Sequence, residues 1–288
     1  MVLQTSHQVV PAFAARIACV LVAWLFMAAA IAQQINAGPY VPSPVSVVAD
    51  MLKIAGIGPR DFVIDLGSGD GRIVLTAAKV YGASGFGVEI QDNLVKLSNE
   101  AAKAEGLADR VKFIKQDLFK TDISQASVLT MYLLPNTVNM LKDKLLSELK
   151  PGTRIISHDY PLAGWIPEKY VQMDLEEKVS ISGVTTTLIY LYLVPAKVNG
   201  NWSAKVPATV SKEAIQLDLK QQVTKFGGTA KVNGKDVTLE DPKLRGTQIS
   251  FQLPGRNVKF AGTVKGNTID GLVEAGGVKS PWTATLGK

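Results

Sequence analysis

The stretch Phe62-Val63-Ile64-Asp65-Leu66-Gly67-Ser68-Gly69-Asp70-Gly71 constrains the fold of this chain more than any other. An apolar β-type run ends in an acid, three glycines follow at alternate positions, and a helical pattern opens at once with Arg72-Ile73-Val74-Leu75. Strand, glycine turn and helix in that order build a nucleotide-sized pocket at the carboxyl edge of a parallel sheet. The glycines allow close backbone approach and unusual φ values, and the helix N-terminus offers free N–H groups to an anionic or polar ligand. The spacing is G-x-G-x-G, tighter than the dinucleotide fingerprint G-x-G-x-x-G. Asp65 would repel a pyrophosphate but suits a cationic ligand such as an amino-acid ammonium or a sulfonium.

The chain on either side continues the α/β pattern. Apolar spacing predicts a helix over 45–55, stopped by Gly56, Gly58 and Pro59. Strands are expected at 62–66, 85–89, 111–117, 126–134 and 154–158, with helices over 72–81, 92–105 and 136–148 between them. Two further β runs, 171–180 and 185–194, read as a closing hairpin. Alternating β and α units with buried strands give a doubly wound sheet. From about residue 196 the helical patterns stop. Short alternating segments are separated by turn signals, Asn199-Gly200, Gly227-Gly228, Asn233-Gly234, Pro254-Gly255, Gly266-Asn267 and Gly276-Gly277, and predict an antiparallel meander, either a small barrel or a curled sheet.

A chain of 288 residues holds one large or two modest domains. Its one cysteine, Cys19, and its two histidines, His7 and His158, exclude an intrachain disulfide and any cysteine-based or multi-histidine metal site. The net charge of +6 is unevenly placed: residues 196–288 carry +7 and the remainder −1. That basic surface suits an anionic partner or membrane surface, or is a solvated, lysine-dotted β face; nucleic acid is not an expected partner.

Residues 17–32 are apolar throughout, with Arg16 before them and no charged residue until Asp50. Ala30-Ile31-Ala32 has the small-x-small form of a signal cleavage site, and the run is shorter than the about 20 residues of a membrane span. Residues 1–32 are therefore read as a signal peptide or a membrane anchor, with Arg16 favouring an N-in orientation and the rest outside the cytoplasm.

The glycine turn resembles motif I of the class I S-adenosylmethionine (SAM) methyltransferases. The resemblance becomes narrower over Asp65 to Val74, Tyr40-Val41-Pro42, Val88-Glu89-Ile90, Lys115-Gln116-Asp117-Leu118-Phe119, Tyr132-Leu133-Leu134-Pro135, Leu149 to Arg154, Pro161-Leu162 and Trp165-Ile166-Pro167. This set resembles the protein-lysine methyltransferases related to the mitochondrial ATP synthase c-subunit lysine methyltransferase, a family with bacterial members, and covers about residues 38–194. It implies a doubly wound, mostly parallel seven-stranded sheet over 38–195; the small antiparallel β domain read over 196–288 and the export-like N-terminus depart from the eukaryotic members. SAM is the implied cofactor and a protein lysine the implied acceptor. Tyr40, Asp65, Gly67, Ser68, Gly69, Gly71, Glu89, Asp117 and Leu118 are the expected cofactor-binding residues: Glu89 accepts from ribose hydroxyls, and Asp117 either accepts from the adenine amino group or caps a turn. Tyr132, Asp159, Tyr160 and Trp165 are expected to form the acceptor channel, or to be core packing in the case of the aromatics, and His158 is expected to be structural. Small-molecule or lipid methylation stays open, as does an exported envelope binding protein on a relic methyltransferase fold, because an export signal sends the chain away from cytoplasmic SAM.

Overall fold

The structure, a computed structural model, describes residues 40–287. The apolar run 17–32, and with it the signal and anchor readings, lies outside the described residues. Among the described residues no helix is long and apolar enough to cross a membrane.

Five neighbouring strands of the first sheet run parallel: β1 (Phe62–Leu66), β2 (Ser84–Glu89), β3 (Val111–Lys115), β4 (Val128–Met131) and β5 (Arg154–His158). β6 (Lys169–Asp174) and β7 (Thr186–Leu193) complete it, with β7 antiparallel to both β5 and β6. The order is β3-β2-β1-β4-β5-β7-β6. Val63, Ile64 and Leu66 of β1 are all completely buried, the unbroken apolar pattern of a strand covered on both faces. Helices α1 (Val45–Ala55), α2 (Arg72–Tyr81), α3 (Asp92–Ala104), α4 (Pro135–Met140), α5 (Lys142–Glu148) and α6 (Val179–Ser182) make up the layers and connections. In α1 the residues Val47, Val48, Met51, Leu52 and Ala55 form one buried stripe against α2, β5 and β7. Gly56 ends that helix in the left-handed conformation, its N–H on the Lys53 carbonyl.

Three expectations are corrected. The helix read over 136–148 breaks into α4 and α5 at Leu141, whose completely buried side chain anchors both pieces. The strand read over 171–180 stops at Asp174, because Lys178 is drawn inward to Asp159 and residues 176–182 coil helically around it. Gly227-Gly228 lies inside a strand rather than a turn. A Cβ on Gly228 would stand 2.0 Å from the Asp218 carbonyl oxygen, so only glycine lets these two strands approach.

The second sheet is antiparallel throughout: β8 (Gly200–Lys205), β9 (Ile215–Gln222), β10 (Lys225–Val232), β11 (Lys235–Thr238), β12 (Glu240–Arg245), β13 (Gln248–Leu253), β14 (Val258–Lys265), β15 (Thr268–Ala275) and β16 (Val278–Leu286). β16 pairs with β8. Only Leu239 separates β11 from β12, and its N–H reaches the Gly228 carbonyl at 3.0 Å. The two therefore act as one bent strand paired to β10 on one side and β13 on the other, and the sheet closes as an up-and-down barrel. Trp202, Leu217, Phe251, Phe260, Ile269 and Trp282 are buried inside it. Phe251 and Phe260 stack at 4.8 Å, and Trp282 meets Phe260 edge-on at 4.9 Å. The interior is a filled core.

The barrel joins the first sheet at the loop beyond β5 and at the strand end after β7. Gly246 accepts from the Ala196 N–H, and Thr224 Oγ1 accepts from the Ile166 N–H at 2.9 Å. Arg245 forms a two-point ion pair with Glu168.

Candidate active site

Strand order reverses between β1 and β4, which leaves a crevice outside the carboxyl ends of the sheet. Asp65 of β1, Glu89 of β2, Asp117 just beyond β3, Tyr132 just beyond β4 and Asp159 just beyond β5 all lie at that edge. Sequence distance is thus converted into one row of side chains.

Asp65 is 2% exposed, and its Oδ1 accepts from Thr130 Oγ1, its register partner on β4, at 2.7 Å. Burial pushes its carboxyl up to about 7; the Thr130 hydroxyl opposes this, and the charges of Asp70 and Glu89 add to it. No ion pair to Asp65 forms among the described residues. Asp70 behaves differently. Burial alone would raise it, but Arg72, 2.6 Å away, outweighs burial and holds it below the usual carboxylate range. Arg72 also donates to the Ser43 carbonyl, tying the glycine turn to the segment that carries Tyr40.

Five amides of the turn find partners within the protein. The Gly67 and Ser68 amides donate to the Val88 carbonyl, Gly71 to Ser68, Gly69 to Glu89 Oε2 at 3.1 Å and Arg72 to Asp70. These amides are committed within the protein, so the turn is not an open nest for phosphate. What it presents instead is carboxylate. Glu89 also accepts from Ile90 and Gln91 through Oε1, which uses three of about four lone-pair positions. Gly69 sits at φ +53, and a Cβ there would stand 2.4 Å from the Tyr40 ring, so Tyr40 lies directly on the turn. Gly67 is similarly covered by Leu133. Ser68 Oγ is buried with no hydrogen-bond partner. Asp117 Oδ1 caps the short turn at Leu118–Lys120 through the Phe119 amide, and Leu118 is buried beside it. A buried acid lacking a cation, an orphaned buried hydroxyl and an aromatic ring laid on a glycine turn fit the polar and cationic groups of SAM.

A second cluster lies at the ends of β4 and β5. His158 is completely buried, with Nδ1 2.8 Å from Ser43 Oγ and its ring 3.9 Å from that of Tyr132. Burial lowers its pKa to about 4, so the imidazole is neutral at pH 7. Tyr132 is pushed well above the ordinary phenol range, first by burial and then by Asp159, and stays protonated. Asp159 adopts a left-handed backbone, φ +62, and Oδ1 accepts from Lys178 Nζ at 2.7 Å and Leu188 N at 3.1 Å. Tyr160 is half-buried, its carbonyl held by Ser157 Oγ. Trp165 is 6% exposed and packs edge-on to Tyr192. The structure thus brings Tyr132 and Asp159 together and sets Trp165 apart. Thr130, Arg72, Ser43 and Lys178 escaped the sequence reading. Arg72 is foreshadowed by its place directly after the glycine turn. Lys178, inside Glu176-Glu177-Lys178, carries no signal that distinguishes it from a solvated charge.

The family model of the ANTKMT methyltransferase domain matches residues 65–169. A protein-lysine N-methyltransferase of Saccharolobus islandicus (strain REY15A) is 41% identical over 157 residues, 54% of this chain and 93% of that relative. An ATP synthase c-subunit lysine N-methyltransferase of Xenopus laevis is 35% identical over 130 residues, covering 45% of this chain and 57% of its own length. Among solved structures, an RNA methyltransferase from Salinibacter ruber in complex with S-adenosyl-L-homocysteine is 42% identical, covers 55% of this chain and 96% of that one, and superposes with a TM-score of 0.49.

Proposed function

The chain belongs to the protein-lysine N-methyltransferases of the class I SAM-dependent fold, and from that premise we propose that it methylates a lysine side chain of a protein. The observation that carries the reading is Asp65, a buried carboxyl with no cation partner at the mouth of a glycine turn. SAM supplies a methyl group already activated on a sulfonium with its leaving group attached, so the protein's task is position and field. Asp65 is assigned to the cofactor's ammonium end, and the remaining lone pair of Glu89 to the ribose hydroxyls. The free oxygen of Asp117 with Leu118 is assigned to the adenine edge, and Tyr40 and Ser68 to closing the pocket over the turn. On the acceptor side the lysine amine must be neutral when it attacks, which a desolvated site promotes. Asp159 orients the amine, Tyr132 presents a neutral phenol, and Tyr160 and Trp165 shape the wall.

Two measurements test this. Titration calorimetry should show SAM binding that Asp65→Ala abolishes; absence of binding in the unsubstituted protein would favour the binding-protein alternative. Incubation of cell fractions with methyl-labelled SAM should then label protein, at lysine, while label confined to lipid, small molecules or RNA would overturn the acceptor. We further propose that residues 17–32 place the enzyme at a membrane or beyond it. A reporter fusion active only in the cytoplasm, with no membrane-bound fraction, would refute that placement.

A further inference from the structure

Among the described residues Lys178 is the one lysine that is fully buried, 2% exposed. It lies in the connection between β6 and β7, at the end of the sheet where β5 also terminates, since Asp174 pairs with Thr186 and His158 with Ile189. Its ammonium donates to Asp159 Oδ1 at 2.7 Å and to the Thr186 carbonyl. The same Asp159 oxygen is 3.5 Å from His158 Nε2, a buried nitrogen with no hydrogen-bond partner, and the His158 ring lies on Tyr132. The segment is tethered once more, by Ser46 Oγ donating to Glu177 at 2.5 Å.

This pocket adjoins the cofactor turn by two routes, one along the chain and one through hydrogen bonds and an ion pair. Tyr132 belongs to it, while the next residue, Leu133, covers Gly67. Ser43 holds His158 through its hydroxyl and Arg72 through its carbonyl, and Arg72 grips Asp70 inside the turn. Stability does not account for a lysine here, because an apolar side chain of similar volume generally serves a buried position as well as an ion pair does. The pocket sets a carboxylate and a carbonyl on a primary ammonium, the head group of the acceptor, with the Tyr132–His158 pair beside the same carboxylate.

We propose that the pocket made by Asp159, the Thr186 carbonyl and the Tyr132–His158 pair is the acceptor-ammonium site, held here by Lys178 as an internal pseudosubstrate. The connection 175–185 must swing out before a substrate lysine enters. The inference rests on the lysine-methyltransferase reading above and deepens it.

The probe is n-butylamine, a lysine head group without a chain. Lys178→Ala opens the pocket, so butylamine should stabilise that variant against heat and be converted to N-methylbutylamine in a SAM-dependent reaction. The rate should exceed that of the unsubstituted enzyme by about tenfold or more, because a tethered competitor acts at an effective concentration near millimolar. Stabilisation by butylamine without methylation, in a variant that still binds SAM, would show a structural ion pair and overturn the proposal; so would the absence of stabilisation. Loss of SAM binding in the unsubstituted protein would instead remove the underlying enzymatic reading, and the proposal with it. Should Lys178→Ala not fold, hydrogen exchange on the unsubstituted enzyme decides. Butylamine with SAM should speed exchange over 175–185 alone, and unchanged exchange there would refute the displacement.

Discussion

Replacing Asp65 with Asn isolates the electrostatic cost on which the cofactor reading depends. The folded-state carboxyl sits near 7 against an ordinary value of 3.8. An acid raised on folding costs nothing below its unfolded pKa, and its penalty grows as pH rises until the folded pKa is passed. Three units at 1.36 kcal/mol each give a full penalty on the order of 4 kcal/mol above pH 7, and roughly 1.5 kcal/mol at pH 5. His158 acts in the opposite direction. Its folded pKa is about 4 against 6.5, so its penalty is present at low pH and disappears as pH rises from 4 to 6.5. Between those values the two contributions nearly cancel in the unsubstituted protein, whose stability from this pair is almost flat. Asp65→Asn removes one arm. Urea denaturation from pH 5 to 8 without ligand should show the difference between variant and parent moving in favour of the variant by roughly 2–3 kcal/mol across that range. Unsatisfied amide donors add an offset independent of pH, so the slope is diagnostic and the intercept is not. The same substitution should abolish measurable SAM binding, and binding of SAM to the parent near pH 7 should release a proton, read from titrations in buffers of different ionisation enthalpy. A stability difference that does not change with pH would refute the argument that Asp65 is a desolvated acid awaiting a cation.

Gly69→Ala forces a Cβ into the Tyr40 ring at φ +53. It should cost about 1–2 kcal/mol from backbone alone and weaken SAM binding in calorimetry, and adding Tyr40→Ala should restore part of the stability but none of the affinity. Asp159→Asn keeps a residue tolerant of φ +62 but strands the Lys178 ammonium; a loss of about 3 kcal/mol in urea denaturation is expected, and Lys178→Met in the same chain should recover most of it. Thr224→Val removes the acceptor of the Ile166 amide. It should cost about 1 kcal/mol and raise the KM for the protein acceptor, measured by labelled-methyl transfer, while leaving SAM affinity unchanged.

The sheet was legible because its strands are short apolar runs closed by acids and glycines, a pattern that needs no tertiary information. The edge at Asp65, Glu89 and Asp117 was legible for the same reason: each acid ends a strand, and parallel strands all end on one side. The commitment of the turn's amides was not legible. Which oxygen receives the Gly69 or Ser68 N–H depends on β2 lying beside β1 at a distance that Gly87 permits, since a Cβ there would stand 2.4 Å from Ser68 Cβ. The barrel was visible as turn signals every few residues, but its closure depends on Leu239 serving two edges at once, and no local pattern announces a bent strand. Lys178 was invisible for a different reason. Hydropathy assigns lysine to solvent, and only a carboxylate from elsewhere in the chain can reverse that assignment.

Those differences follow how each half of the site is held. The cofactor side is built from contacts within one strand-turn-helix unit and its immediate neighbours, so a family resemblance confined to about half the chain describes it. The loop after β5 is held from far away: Ile166 by Thr224, Glu168 by Arg245, and Asp159 by Lys178. Two of those three anchors reach in from the barrel, beyond the residues 65–169 matched by the family model. A β-branched residue, Val223, is held at φ +54 in the hairpin that delivers Thr224, a conformation that costs energy at such a side chain. That hairpin holds the Ile166 amide beside the buried Trp165, so the barrel fixes the loop after β5 from outside the stretch matched by the family model.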